Sequence, residues 1–330
     1  MSNHKEKIRY VGIDRLRGGL IVLVMLGHLV LGSVHENIIR YSIYAFHMPL
    51  FIGLTGYLIN PESLRVNSFF ATMVRYWWRV LLPFAFAFLF FTGILAFHAF
   101  EEGRLSVKLL LSFFHTPYYH LWFIPTLVLW ALAFSALLKL RVRMLYALIF
   151  FVALCLLWAA SPKTEQWGPL SLVLSKKLIY FFCFFLFGAW LRTTGSKKFR
   201  TLFSQFKILP MVLISACAGF YLIQIGADKS LPKALVWLLL NAALITVLID
   251  SAQSNTTIKA SIISAIGRNS LPIYLWHLLP IFILKGFDIH QTHTLIYYFV
   301  ASVSMVFIVF AVLRLESRNK WIDRGLFGAT

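Results

Sequence analysis

The sequence has few charged residues, and very few of them are acidic. Only 13% of its 330 residues are charged, and 12 Asp and Glu stand against 31 Lys and Arg. A soluble domain carries roughly a quarter charged residues. Hydrophobic residues make up 60% of the chain, which is more apolar surface than one soluble core can hide. The composition therefore excludes an ordinary soluble protein and predicts an integral membrane protein.

Cysteine is also scarce, which limits the kinds of site that the chain can form. The three cysteines, Cys155, Cys183 and Cys217, all lie in apolar stretches, and their spacings match no zinc or redox motif. We interpret them as packing residues and expect no metal site. The net charge of +19 would suggest a nucleic-acid partner in a soluble protein. Here the basic residues flank apolar runs, so we expect contact with membrane lipid and not with nucleic acid.

Long apolar runs recur along the whole chain, and each is long enough to cross a bilayer as a helix. They predict an all-α, polytopic membrane bundle of about ten transmembrane helices. The run at 269–285 contains Pro272 and Pro280, so we expect it to be kinked or interrupted. The predicted spans are 18–34, 41–60, 80–100, 121–138, 144–160, 177–192, 208–226, 232–250, 269–285 and 295–314.

The distribution of basic residues predicts the orientation of these helices. With ten spans, 22 Lys and Arg fall on the side of the two termini and 9 on the other side, whereas the acidic residues divide equally. Cytoplasmic loops carry the excess of Lys and Arg. We therefore expect both termini to be cytoplasmic.

Four histidines stand in or beside the predicted spans. His28 and His277 lie within the first and ninth, and His47 and His120 lie near the outer ends of the second and fourth. Ionisable groups inside a membrane are costly and often functional. Histidine can also exchange a proton near neutral pH, so these four side chains are candidates for chemistry.

Arg17 and His28 are eleven residues apart, which is about three helical turns and a rise of about 16 Å. Both side chains should share one face, with Asp14 one turn beyond Arg17. This spacing suits a long ligand whose charged head binds at Arg17 while its reactive end meets His28 as a general base. The alternative is that Arg17 only sets topology and His28 makes a structural hydrogen bond between helices.

Arg75 and Arg79 lie four residues apart at the cytoplasmic start of the third predicted span. On a helix they point the same way. They either join Arg17 in a basic cluster for a phosphorylated ligand or serve as topology signals beside the interfacial Trp77 and Trp78.

Five segments, taken in order, resemble the acyltransferase-three family of bacterial membrane acyltransferases. The first is similar to the family's pattern of an arginine, ten residues and a histidine, and the second is similar to the branch of fucose-type sugar acetylases. The second has Thr55-Gly56 where that branch carries Ser-Gly. The segments are IDRLRGGLIVLVMLGH at 13–28, FHMPLFIGLTGYLI at 46–59, RYWWRVLLP at 75–83, HLWFIPTL at 120–127 and IGRNSLPIYLWH at 266–277.

The resemblance implies a donor, a direction and two site residues. The family takes an acyl group from cytoplasmic acyl-CoA, usually acetyl-CoA, and delivers it toward the periplasm. Arg17 corresponds to the donor-site residue and His28 to the catalytic histidine. Some relatives carry an extra SGNH-type domain, whereas 1–330 is expected to be a single membrane domain without one. The acyl group would then reach its acceptor directly or through a separate periplasmic protein.

The leading hypothesis is therefore an O-acetyltransferase of the bacterial inner membrane, which modifies a hydroxyl of a free or lipid-linked sugar in a cell-surface or periplasmic glycan. In this hypothesis Arg17, Arg75 and Arg79 bind the CoA phosphates, Asp14 positions Arg17, and His28 is the base. The predicted acceptor-side residues are His47, His120, Trp122 and His277.

The main alternative is a proton-coupled transporter, which intramembrane histidines and proline bends also suit. Two observations count against it: no acidic residue lies in the interior of a predicted span, and no inverted repeat is visible. A polysaccharide polymerase or flippase would need a large external loop or a longer chain. A purely structural membrane subunit is a further alternative.

Overall fold

The computed structural model describes residues 11–115, 120–160, 176–195, 208–225, 231–254, 261–287 and 289–315. Over these ranges the chain folds into helices without a strand, which confirms the predicted all-α bundle. The helices are α1 (Val11–Leu29), α2 (Ile38–Leu58), α3 (Pro61–Val66), α4 (Phe69–Tyr76), a π-helical segment (Trp77–Leu81), α5 (Leu82–Glu101), α6 (Val107–His115), α7 (Phe123–Lys139), α8 (Met144–Ala160), α9 (Lys176–Tyr180), α10 (Phe182–Thr194), α11 (Ile208–Gln224), α12 (Leu231–Ser254), α13 (Ile262–Arg268), α14 (Ser270–Trp276), α15 (Leu279–Gly286), α16 (Ile289–Thr292) and α17 (Thr294–Leu315).

Each of the ten predicted apolar runs coincides with one or two of these helices. Three helices are long and apolar enough to cross a membrane by length and composition, and five shorter apolar helices accompany them. The number of crossings and the cytoplasmic position of the termini stay predictions. The three long helices are Phe69–Glu101, Leu231–Gln253 and Thr294–Leu315.

The outer surface of the bundle carries many large apolar side chains. Exposing such a surface to water costs free energy, whereas exposing it to lipid hydrocarbon does not. Their positions on long helices agree with a membrane environment. Examples more than half exposed are Leu89, Phe97, Leu157, Leu239, Phe299 and Phe307.

The first helix occupies a different range from the predicted 18–34. It runs from Val11 to Leu29, because Asp14 and Arg17 continue the helix beyond its apolar part. At the other end Gly32 has a φ of +85°, a left-handed conformation that stops the helix. Buried Arg40 donates to the carbonyl oxygens of Val30, at 3.0 Å, and Gly32. His28 therefore lies in the last turn of α1, next to irregular backbone.

The third predicted span, 80–100, is part of a longer helix. Helical structure is continuous from Phe69 to Glu101, with the π-helical segment Trp77–Leu81 in its path. π-helical turns widen an α-helix locally and occur often at functional sites. Trp77 and Trp78 are both about half exposed on this segment, as expected for residues at a membrane interface.

The predicted interruption of the ninth run is confirmed. α14 ends at Trp276, and α15 begins at Leu279 with Pro280 in its first turn. Proline cannot donate a backbone hydrogen bond and is tolerated at the start of a helix. The break falls at His277 and Leu278, so the backbone turns where an ionisable side chain lies.

Glycines allow α1 and α2 to touch neighbouring helices backbone to backbone. A Cβ at Gly18 of α1 would overlap the carbonyl oxygen of Ile263, and one at Gly267 would overlap that of Asp14. Gly56 of α2 stands equally close to the carbonyl of Phe185. Small residues at helix contacts are the usual means of close packing in membranes, where no hydrophobic effect drives helices together. These contacts fix α1 against α13 and α2 against α10.

Adjacent glycines in α1 provide a matched test of this packing. Gly18→Ala should destabilise the protein by about 1–3 kcal/mol, because the added methyl group meets the backbone of α13. Gly19→Ala should be neutral or stabilise by up to about 1 kcal/mol, because its Cβ would face open space and alanine favours the helix. Thermal unfolding of both variants in detergent measures the difference, and equal unfolding temperatures would contradict the close contact.

Candidate active site

Three histidines from distant parts of the chain meet at the C-terminal end of α1. The ring centroids of His28 and His277 are 5.4 Å apart, those of His120 and His277 are 5.1 Å apart, and those of His28 and His120 are 6.4 Å apart. His120 and His277 are buried, whereas His28 is only partly buried. We call His28, His120 and His277 the histidine cluster. It brings together three of the four histidines that were predicted to be functional.

Tyr44 connects this cluster to the second helix. Its hydroxyl oxygen lies 3.1 Å from His28 Nδ1, and its ring lies 5.9 Å from the His28 ring. On its other side Tyr44 contacts the buried His47, with ring centroids 5.0 Å apart. The fourth predicted histidine therefore reaches His28 through Tyr44 and does not join the cluster directly.

Backbone carbonyls fix which nitrogens of the buried histidines carry hydrogen. His277 Nδ1–H donates to the carbonyl of Tyr274 at 2.7 Å, and His120 Nε2–H donates to that of Leu275 at 3.2 Å. A neutral imidazole has only one N–H, so the other nitrogen is an acceptor. His277 Nε2 is buried and has no hydrogen-bond partner among the described side chains and backbone. It is therefore available to accept a proton or a hydrogen bond.

Backbone hydrogen bonds also explain why His277 sits at the helix break. The carbonyl of Ile273 lies 3.2 Å from His277 Nδ1 as well, so one ring nitrogen faces the last turn of α14.

Over the described ranges, no group of three His, Cys, Asp or Glu has an arrangement that could hold a metal ion. Histidine can exchange a proton near neutral pH, so the short distances between these rings suit proton transfer.

The other end of α1 carries Asp14 and Arg17, which are both partly buried. One continuous helix joins Arg17 to His28, so the predicted spacing of about 16 Å holds. The C-terminal end of α12 lies beside this end of α1. The close approach is shown by Gly12, where a Cβ would overlap the carbonyl of Ala252. Asp250, near that end of α12, is only 2% exposed.

Asp250 is a residue that sequence reasoning missed. It stands at the last position of the predicted span 232–250, which suggests a residue at the membrane boundary. The helix, however, continues to Ser254. A buried carboxylate needs compensating partners, and Asp250 does have an interaction partner. The argument that no acidic residue lies inside a span, which was used against a transporter, is therefore wrong.

The remaining predicted residues are Arg75, Arg79 and Trp122, which are not members of the histidine cluster. Arg75 is exposed and donates to Ser63 Oγ at 2.6 Å, and Arg79 is exposed on the π-helical segment. Their convergence with Arg17 on a phosphorylated ligand stays a prediction. Trp122 stacks on Phe181 with centroids 5.8 Å apart, so one face of its ring is already covered.

Comparison with known proteins identifies the family. A family profile described as an acyltransferase domain matches residues 10–314, which is nearly the whole chain. The chain belongs to this acyltransferase family. The match confirms the resemblance seen in the sequence. Family membership favours acyl transfer over transport, and the apolar helices agree with a location in a membrane.

Two curated relatives are similar over shorter stretches. Nodulation protein NolL of Sinorhizobium fredii (strain NBRC 101917 / NGR234) is 33% identical over 106 residues, covering 27% of this chain and 29% of that protein. Nodulation protein NolL of Mesorhizobium japonicum (strain LMG 29417 / CECT 9101 / MAFF 303099) is 35% identical over 85 residues, covering 24% of this chain and 22% of that protein. The matched part thus spans less than a third of either relative. No solved structure is significantly similar to the chain.

Tyr44 offers a direct test of the site's geometry. Tyr44→Phe keeps the ring but removes the hydroxyl beside His28, so the imidazole loses the group that orients it. Because a hydrogen bond contributes about 1 kcal/mol, the rate of acyl transfer should fall about fivefold without loss of folding. Tyr41→Phe, which removes a hydroxyl one turn away on α2, should have little effect on the initial rate. Equal effects of the two substitutions would contradict the role of Tyr44.

Proposed function

We propose that this acyltransferase moves an acetyl group from cytoplasmic acetyl-CoA to a hydroxyl of a sugar in a cell-surface or periplasmic glycan. The protein would act in the bacterial inner membrane, on a free or lipid-linked acceptor. The observation that carries the proposal is the histidine cluster around His28, on the same helix as Arg17. Family membership supports acyl transfer, and the geometry supports the assignment of roles.

The donor is proposed to bind along the first helix. Arg17, with Arg75 and Arg79, would bind the CoA phosphates, since the guanidinium group matches phosphate oxygens well. Asp14 would hold Arg17 in position from one turn away. The rise of about 16 Å between Arg17 and His28 suits an extended pantetheine arm that brings the thioester to the histidine cluster.

The chemistry requires a base, because a sugar hydroxyl is a weak acid and a poor nucleophile until it loses its proton. In our proposal His28 Nδ1–H donates to the Tyr44 hydroxyl, which leaves Nε2 to take the proton. The acceptor oxygen then attacks the thioester carbonyl, forming the new C–O bond. The C–S bond breaks, and the CoA thiolate leaves with the proton from the imidazolium.

The other two members of the cluster are proposed to support this proton transfer. His277 Nε2 is a buried acceptor close to His28 and could receive the proton or stabilise the imidazolium. His120 packs against both rings and holds them in place. We therefore assign His120 and His277 to the base rather than to direct contact with the sugar. His47 orients Tyr44, and Trp122 remains the candidate for contact with the sugar.

Loss of the base provides the test of this proposal. Inverted membrane vesicles with a glycan extract trapped in their lumen as acceptor would be supplied with labelled acetyl-CoA. His28→Ala should reduce label incorporation by about 10²–10⁴-fold, the usual contribution of a general base. His98→Ala removes an exposed histidine at the end of α5 and should incorporate label at the wild-type rate. Full activity of His28→Ala would rule out this assignment.

A further inference from the structure

A cavity opens at the outer end of α1, next to the histidine cluster. Its volume is 440 Å³, which is enough for a sugar-sized group. Residues 31–34, which follow α1, form one wall, and Arg40, Tyr44, Lys285 and His290 form the rest. We call this cavity the outer pocket. None of the roles assigned above involves Arg40, Lys285 or His290.

The lining of the outer pocket is basic. Arg40 is buried, and the ring of Tyr44 lies 5.3 Å from its guanidinium carbon. The hydrogen bonds of Arg40 to the carbonyls of Val30 and Gly32 hold its guanidinium group in one place. A charge that is already fixed binds an anion without the entropic cost of ordering a flexible side chain.

The side chains of Lys285 and His290 add two further nitrogen atoms that have no hydrogen-bond partner among the described residues. Lys285 is exposed and makes no hydrogen bond or ion pair within the part of the chain that the structure describes. His290 Nδ1 is buried and lacks a hydrogen-bond partner there. Buried polar atoms are nearly always satisfied in folded proteins, so an unsatisfied atom in a residue that lines a cavity suggests a ligand nearby, reached after a small rotation of the ring.

One described acid lies beside the pocket but not in its lining. Glu36 accepts a hydrogen bond from the backbone N–H of Ser33 at 2.6 Å, and this bond lowers the pKa of its carboxyl. The carboxylate is exposed and holds the turn that forms one wall of the pocket. Asp288 lies outside the described residues. Among the described residues, the lining contains three basic side chains and no carboxylate.

Tyr44 belongs both to the outer pocket and to the active site, because its hydroxyl lies 3.1 Å from His28 Nδ1. A molecule bound in the pocket is therefore separated from the proposed base by one side chain. A group bound here must belong to the acceptor or lie beside it, since the donor's charged head is assigned to the opposite end of α1.

We propose that the outer pocket binds an anionic group, a carboxylate or phosphate, that the acceptor glycan carries, so that this enzyme acylates acidic glycans. The inference rests on the proposed function and narrows its acceptor class. Arg40 supplies the fixed charge, while Lys285 and His290 complete the contact. Charge-assisted hydrogen bonds of this kind are about twice as strong as neutral ones, so they can decide between acceptors.

Two acceptors of equal length test this specificity: an oligosaccharide of alternating glucuronate and glucose, and the corresponding neutral glucose oligomer. The wild type should show the lower KM for the acidic acceptor. Lys285→Gln should raise the ratio of acidic to neutral KM about tenfold and leave the KM for acetyl-CoA unchanged. Lys108→Gln, an exposed lysine on α6, should leave the ratio unchanged. An unchanged ratio in Lys285→Gln would overturn the proposal.

A binding measurement separates this proposal from the proposed function. The acidic oligosaccharide would be titrated into purified protein in phosphatidylcholine liposomes without acetyl-CoA. Wild-type protein should bind it, and Lys285→Gln should bind it about tenfold more weakly. Binding without any acyl transfer would overturn the proposed function alone. If phosphatidylglycerol in the liposomes abolishes binding, the pocket holds a lipid headgroup and the acidic-glycan proposal is wrong.

Discussion

The close backbone contact between α1 and α13 is the constraint on which the rest of the site depends. Gly18 and Gly267 leave no room for a side chain, so the two helices touch through their main chains. This contact fixes the axis of α1 and therefore the positions of both Arg17 and His28. It also fixes the start of the broken segment that follows α13 and carries His277 to the same point. Without hydrophobic driving force between helices in lipid, such contacts determine the arrangement.

The broken segment explains why a cluster of histidines can exist inside an apolar bundle. A helix uses its own backbone groups, but the break between α14 and α15 frees carbonyls near His277. Those of Tyr274 and Leu275 accept from His277 and His120, so both buried rings gain a partner without an acidic residue. Neutral imidazoles are thereby kept close together next to a partly exposed His28. This arrangement suits proton transfer next to the outer pocket.

Much of this could be predicted from local features of the sequence. Apolar runs located the helices, the prolines at 272 and 280 indicated the broken segment, and ionisable side chains in apolar surroundings identified His28, His47, His120 and His277. Contacts between residues far apart in the chain could not be predicted. Tyr44 looks like any aromatic residue in a span, and its bond to His28 depends on how α1 and α2 pack. The burial of Asp250 and the lining of the outer pocket likewise arise only from tertiary packing, since Arg40 and Lys285 are 245 positions apart in the sequence.

The central claim is that α1 connects a donor at the cytoplasmic face with an acceptor at the other face through His28. Sealed vesicles of known orientation, given labelled acetyl-CoA only in the outside medium, test it most directly. Inside-out vesicles should transfer label to an acceptor glycan trapped in their lumen, and right-side-out vesicles should transfer none until they are permeabilised. Equal labelling in both orientations, or labelling of the lumenal acceptor only after permeabilisation of the inside-out vesicles, would contradict the account.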